Sequence, residues 1–103
     1  MERHLTDVRR YDALADAGVV GRIVGHLGLS LYGRDAAHVA ASDPDEIRTV
    51  CHSWCRGRLG AVDPKHIDRA VSLVRETMQR DRMKDRVTFY YLCAKHLGKL
   101  DAI

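Results

Sequence analysis

RVTFYYLCAKHLG, residues 86–98, is the stretch that decides the fold of this chain. Val87, Phe89, Tyr90, Tyr91, Leu92, Cys93, Ala94 and Leu97 leave almost no polar stripe between positions 89 and 94. A helix that is apolar on every side is one that other elements surround. The stretch therefore predicts a central post, stopped by Gly98, with everything upstream packed around it.

Working back from the post, the charged run 80–86 reads as the turn that delivers the chain into it. Before that turn, Asp63-Pro64 signals a helix start, with the carboxylate as N-cap and proline at the first helical position. Ile67, Ala70, Val71, Val74 and Met78 follow at i, i+3, i+4, i+7 and i+11, which is one helix face. Lys65, Asp68, Arg69, Ser72, Arg75, Glu76 and Gln79 fill its wet side. The same device opens the previous helix. Asp43 caps, Pro44 follows, and Glu46 completes a capping box. That helix is expected to run to about Arg58, with Gly60 just past it and Ile47, Val50, Cys51, Trp54, Cys55 and Leu59 as its inward stripe.

Residues 29–41 are denser in turns, and one short helical turn followed by a second from about Asp35 is expected there. Asp16 or Gly18 begins an apolar helix carrying Val19, Val20, Ile23, Val24 and Leu27 and closed by Gly28. Gly21 and Gly25, four apart on it, suit a close helix crossing. A weaker helix over residues 6–17, capped by Thr6, places Leu5, Val8, Tyr11, Leu14 and Ala15 at helical spacing and could pack on a second copy. The expected fold is an all-α, compact single-domain bundle of five to six helices spanning 1–103. Its core is read as Val20, Ile23, Leu27, Ile47, Val50, Trp54, Val71, Val74, Val87, Tyr90, Tyr91 and Ala94.

Several anchors also carry a resemblance. They are Leu27-Gly28, LYGRDA at 31–36, Val39, Ser42-Asp43 with Glu46, Val50, Leu59-Gly60 and IDRAVSLVRETM at 67–78. Lys84-x-Arg86, FYYL at 89–92 and GKL at 98–100 continue the series. Over residues 27–100 the chain resembles the small bacterial family catalogued as domain of unknown function 2853. The resemblance implies a compact helical domain and names no activity. Trp54 stands where that family usually has Phe, Cys55 and Cys93 where it usually has Leu, and Cys51 and Gly57 replace polar or basic residues.

Composition narrows the function classes. With 46% hydrophobic and 30% charged residues among 103, the chain is an ordinary globular domain. It has no run of about 18 apolar residues to span a membrane. The charged N-terminus lacks an apolar signal core, and three cysteines are an odd number, so a reducing cytoplasm is expected. Residues 1–50 carry six basic against eight acidic side chains, and residues 51–103 carry eleven against six. That asymmetry suggests a basic face.

Cys51-x3-Cys55 with Cys93-x2-His96 supplies the ligand types of a tetrahedral zinc site. Zinc knuckles, however, use loops, whereas these cysteines sit mid-helix and read as small buried hydrophobes. No metal or other cofactor is therefore expected. No nucleophile elbow, glycine-rich phosphate loop or metalloprotease helix is present. Ser42-Asp43 could be half of a hydrolytic site, and Tyr90, Tyr91 and His96 acid–base groups. Ser-Asp before Pro is better explained as a cap, and the tyrosines as core with a tethered hydroxyl, so no enzyme is expected. Two readings remain. The first is a non-catalytic protein-interaction or regulatory module, self-association included. The second is nucleic-acid binding through a basic face over residues 56–86, made of Arg56, Arg58, Arg69, Arg75, Arg80, Arg82 and Lys84. Arg86, next to these, is expected to pair with an acid or to cap a carbonyl.

Overall fold

The 86–96 stretch is the post that its composition predicts: every side chain from 87 to 94 is buried. The computed structural model describes residues 2–32 and 36–103. Among these, the helices are α1 (Glu2–Arg9), α2 (Ala17–Leu27), α3 (Pro44–Thr49), a π-helix (Val50–Arg58), α4 (Pro64–Thr77) and α5 (Arg86–His96). Two 3-10 turns, Gly28–Leu31 and Leu100–Ala102, and a two-residue antiparallel pairing of β1 (His38–Val39) with β2 (Lys84–Asp85) complete the order. α5 touches α1, α2, α4, the π-helix and β1, so the all-α bundle is built around it. The radius of gyration, 12.2 Å, is that of one compact body. No helix among the described residues is long and apolar enough to cross a membrane.

The cap signals place the helices as expected. The side chains of Asp16, Asp43 and Asp63 accept from the backbone N–H of Gly18, Asp45 and Lys65 at 3.0, 2.9 and 3.0 Å. The expected core is buried except Leu27 and Ile47, which are half-buried. The α4 stripe of Ile67, Ala70, Val71, Val74 and Met78 is buried in full.

Four expectations are corrected. The N-terminal helix is Glu2–Arg9, so Thr6 lies inside it rather than capping it. The chain leaves the helix because side chains compete for its backbone. Asp12 accepts from Leu14 N–H at 3.2 Å, and the Arg9 guanidinium donates twice to the Ala15 carbonyl, at 3.0 and 3.3 Å. Leu14 is consequently 93% exposed instead of lying on an inward face. The second helical turn from Asp35 begins outside the described residues, and His38–Val39 is a strand bridged to Lys84–Asp85. Gly25 makes no close crossing, since a Cβ there would meet nothing within 4 Å. Finally, Glu46 closes no capping box, because it is drawn to Arg86.

The second half of the 44–58 helix changes pitch. From Val50 it winds as a π-helix, and Leu59 N–H reaches back to the Trp54 carbonyl at 2.9 Å, five residues away. The pitch suits the buried set. At roughly 4.4 residues per turn, Val50, Trp54, Cys55 and Leu59 fall within roughly 80° of arc, against roughly 180° at the α pitch. All four are buried on the post. Trp54 stacks on Tyr90 at 4.8 Å between ring centres and donates its Nε1–H to the Tyr90 carbonyl at 2.9 Å. The His26 ring lies tilted against Trp54 at 5.5 Å between centres.

α1 is docked on α5 mostly by polar contacts. His4 and Val8 are buried, and His4 Nδ1 lies 3.1 Å from both Asp85 oxygens. The hydroxyl of Thr88, itself buried, donates to Asp7. Just beyond α1, Tyr11 donates to Asp81 and Tyr91 to Asp12, each at 2.6 Å.

Two outcomes follow from these contacts. Gly57→Ala would stabilise an α-helix by about 1 kcal/mol. Here its Cβ would lie 3.1 Å from the His52 carbonyl oxygen, so the melting temperature should fall; a rise would mean that the segment is wound at the α pitch. The second outcome concerns alkaline pH. Burial and then the bond to Asp81 push the Tyr11 hydroxyl up to about 12, and burial with Asp12 pushes Tyr91 up as well. Unfolded tyrosine titrates near pH 10. Their stabilising contribution is therefore complete below about pH 10; that of Tyr11 is lost as pH rises through about 12, and that of Tyr91 at higher pH still. The gap in melting temperature between wild type and Tyr11→Phe/Tyr91→Phe should shrink across that window; a constant gap would contradict the linkage.

Candidate functional site

α4 buries one side on the post, and its other side carries Asp68, Ser72, Arg75 and Glu76 outward, with Gln79 exposed just past its end. The segment from Val39 to His52 is laid beside that outer side, and a groove runs between them. Its wider part, about 750 Å³, lies between the 39–42 backbone and α4, with Arg82 and Lys84 at the end. Its narrower part, about 370 Å³, has Pro44, Ile47 and Cys51 along one wall and Asp68 on the other. Ala41, Ser42 and Arg75 line both parts, so the two are continuous.

One wall is fixed by Arg86. Its backbone N–H donates to the Ala37 carbonyl at 2.8 Å. Its guanidinium donates to the carbonyls of Ala36 and His38 at 2.7 and 3.0 Å, to the Tyr90 hydroxyl at 3.2 Å, and to Glu46. The expectation that Arg86 pairs with an acid and caps a carbonyl is met on both counts. Burial opposes the charge most strongly, yet the bonds to Glu46 and Tyr90 outweigh it and hold the guanidinium more firmly protonated than usual. The opposite end is pinned by Asp81. Arg10 reaches this carboxylate at 2.8 Å, and Lys84 Nζ donates to the Asp81 backbone carbonyl at 2.7 Å. Burial of Asp81 is likewise outweighed by Arg10 and Tyr11, and its carboxyl stays below the ordinary range.

Of the seven candidate basic residues, Arg75, Arg82 and Lys84 line this groove. Arg75 and Arg82 are exposed and form no ion pair among the described residues. Arg56, Arg69 and Arg80 are exposed but do not line it. Arg58 instead donates to the Ala102 carbonyl at 2.9 Å. The seven residues are thus not one face. Sequence reasoning passed over the narrower end, where Ile47 and Cys51 are only half-buried and His52 and Arg48 stand at the rim. The faintest signal was present in the stripe itself, which is two residues wider than a post-facing helix needs.

Cys55 and Cys93 are buried, Cys51 is half-buried and His96 is exposed. Among the described residues no group of three or more His, Cys, Asp or Glu side chains is placed to hold a metal. Burial pushes the thiols of Cys51 and Cys93 up, so both stay neutral at physiological pH. Ser42 sits on the groove wall, while Tyr91 is tied to Asp12 and Tyr90 to Arg86.

With this geometry in view, residues 3–101 match the family described as "Protein of unknown function (DUF2853)". The chain belongs to that family. The match reaches beyond the 27–100 stretch and takes in α2 and α1, whose polar contacts hold the N-terminal side to the post. No curated protein matches the chain. The DUF2853 description assigns no chemistry, and what can be said of the site comes from its residues.

The groove wall of this DUF2853 protein should depend on the shape of Arg86 and not on charge alone. Lysine carries the charge but cannot present the fork. Arg86→Ala, which strands a half-buried Glu46, should cost about 3–5 kcal/mol in urea unfolding, and Arg86→Lys should recover only part of it. A lysine variant as stable as wild type would show that the fork is dispensable.

Proposed function

We propose that this DUF2853 protein is a non-catalytic protein-interaction or regulatory module of the bacterial cytoplasm, and that the groove along α4 is its contact surface. The observation that carries this reading is a pair of exposed arginines, Arg75 and Arg82, without carboxylate partners among the described residues, in the groove that half-buried Ile47 and Cys51 also line. Exposed cations next to apolar surface are the ingredients of an interface core and its rim. Absence of a catalytic motif from the sequence, and the engagement of Tyr90 and Tyr91 in structural bonds, support a role without turnover.

A second reading is favoured by one observation, the convergence of Arg75, Arg82 and Lys84 on the wider part of the groove. Three cations in a row are a modest phosphate footprint. Glu76 and Asp68 line the same groove and dilute the field, so nucleic acid ranks second.

The test compares capture from a bacterial lysate by wild type, by Arg75→Glu/Arg82→Glu and by Arg69→Glu/Arg80→Glu, whose charge change is identical but lies outside the groove. A protein retained by wild type and by the outer variant, and lost from the groove variant, supports the contact surface. Equal retention by all three sinks it. Duplex DNA is titrated in parallel at about 50 and 200 mM salt. Salt-sensitive binding abolished by the groove variant would put nucleic acid first.

A further inference from the structure

The groove is asymmetric in a way that specifies an occupant. Its wider end presents Arg75, Arg82 and Lys84 against one acid, Glu76. Lys84 is half-buried and held by the Asp81 carbonyl, which leaves the other ammonium protons to donate from a fixed position. Its narrower end is apolar along Pro44, Ile47 and Cys51. Of the two arginines that line it, Arg48 is already paired with Asp45 at 2.9 Å and Arg75 is the one shared with the wider end, and Asp68 also lines it. Cys51 stays a neutral thiol because burial raises it, so the floor carries no charge. Positive charge therefore gathers at one end and apolar surface at the other.

Length and wall chemistry narrow the choice further. From Asp68 to Thr77 the helix wall rises roughly 14 Å, at about 1.5 Å per residue, and Gln79 carries the wall just past the helix end. That length takes about four to five residues of extended chain. No Phe, Tyr or Trp lines either part among the described residues, and His52 at the rim is a single small ring, so a run of bases would find no continuous stacking platform.

We infer that the groove receives a short acidic segment of a partner protein, with an aliphatic side chain over Pro44, Ile47 and Cys51 and carboxylates at Arg75, Arg82 and Lys84. This rests on the groove being the contact surface. Arg75, shared by both parts, is the residue that couples the anchor to the charge. Asp68 enforces the register, because a carboxylate placed at the apolar end would meet it.

The probe is a fluorescent pentapeptide of one leucine followed by four glutamates, together with its reverse, titrated into the full chain by anisotropy. One of the two should bind saturably. Replacing its glutamates by glutamines, or its leucine by a fifth glutamate, should weaken binding about tenfold, as should Arg75→Glu/Arg82→Glu. Arg69→Glu/Arg80→Glu should leave it unchanged. Pentaglutamate binding as tightly as the leucine peptide would overturn the anchor without any change to the protein. Equal loss in the outer double variant, duplex DNA displacing the peptide at lower concentration, or no saturable binding by either peptide would overturn the proposal. Should neither peptide bind while lysate capture still depends on Arg75 and Arg82, the occupant is wrong and the contact surface stands. If capture is indifferent to those arginines, both fall.

Discussion

The fold hangs on a guanidinium that has been taken largely out of water. Removing a charge from solvent costs several kcal/mol unless hydrogen bonds and a counter-charge replace the lost hydration. Arg86 meets that demand with Glu46, two backbone carbonyls, the Tyr90 hydroxyl and the Tyr90 ring, 5.7 Å from its centre. Those groups come from three places in the chain: the 36–38 segment, α3, and α5 itself. Satisfying one side chain therefore fixes where β1 and α3 lie against the first turn of the post. Along α4, the groove exists because the 39–52 segment is held at that position and no nearer.

A second constraint acts from the far side of that segment. Trp54 has to reach the post, stack on Tyr90 and donate its indole N–H, while Val50, Cys55 and Leu59 are buried beside it. No α-helix can point all four the same way. The π pitch does, at the cost of weaker backbone geometry, and Gly57 removes the Cβ that would crowd the widened turn. The change of pitch begins at Val50, so Cys51 and His52 sit at the junction, where Cys51 packs on the edge of the core and both line the groove. The apolar end of the groove is in this sense a by-product of burying a tryptophan.

How far the sequence could be read follows from where each contact's partner lies. The apolar run at 89–94, the α4 stripe and the aspartate caps are local, and each produced the right element. Asp85 capping α5 by accepting from Thr88 N–H, His4 on Asp85 and Asp7 on Thr88 were missed. The last two join residues 81 apart in sequence, and a polar pair at that distance leaves no periodic trace. Glu46 shows how a good local rule loses: a neutral capping amide competes poorly with a half-buried guanidinium. For the candidate site, the basic residues were visible as a set, but their spread over α4, the π-helix and the 80–84 turn hid that only three of them share a groove. The apolar half escaped notice because Ile47 and Cys51 fit the core stripe equally well on paper.

The distribution of arginines gives the groove its meaning. Arg9, Arg22 and Arg58 hold backbone carbonyls, Arg10 holds Asp7 and Asp81, and Arg86 holds the wall. Among the described residues no buried side-chain nitrogen or oxygen lacks a partner, so the fold's own polar demands are met. Arg75 and Arg82 take no part in meeting them. They line a groove, and Arg75 reaches its apolar end, where an approaching carboxylate would be partly shielded from water. A charge pair formed there is stronger than one on open surface, where an ion pair contributes about 0–1 kcal/mol. Arg56, Arg69 and Arg80 have the same charge without the concavity. The difference between the two sets is one of dielectric surroundings: two of these arginines line a concavity and the other three do not.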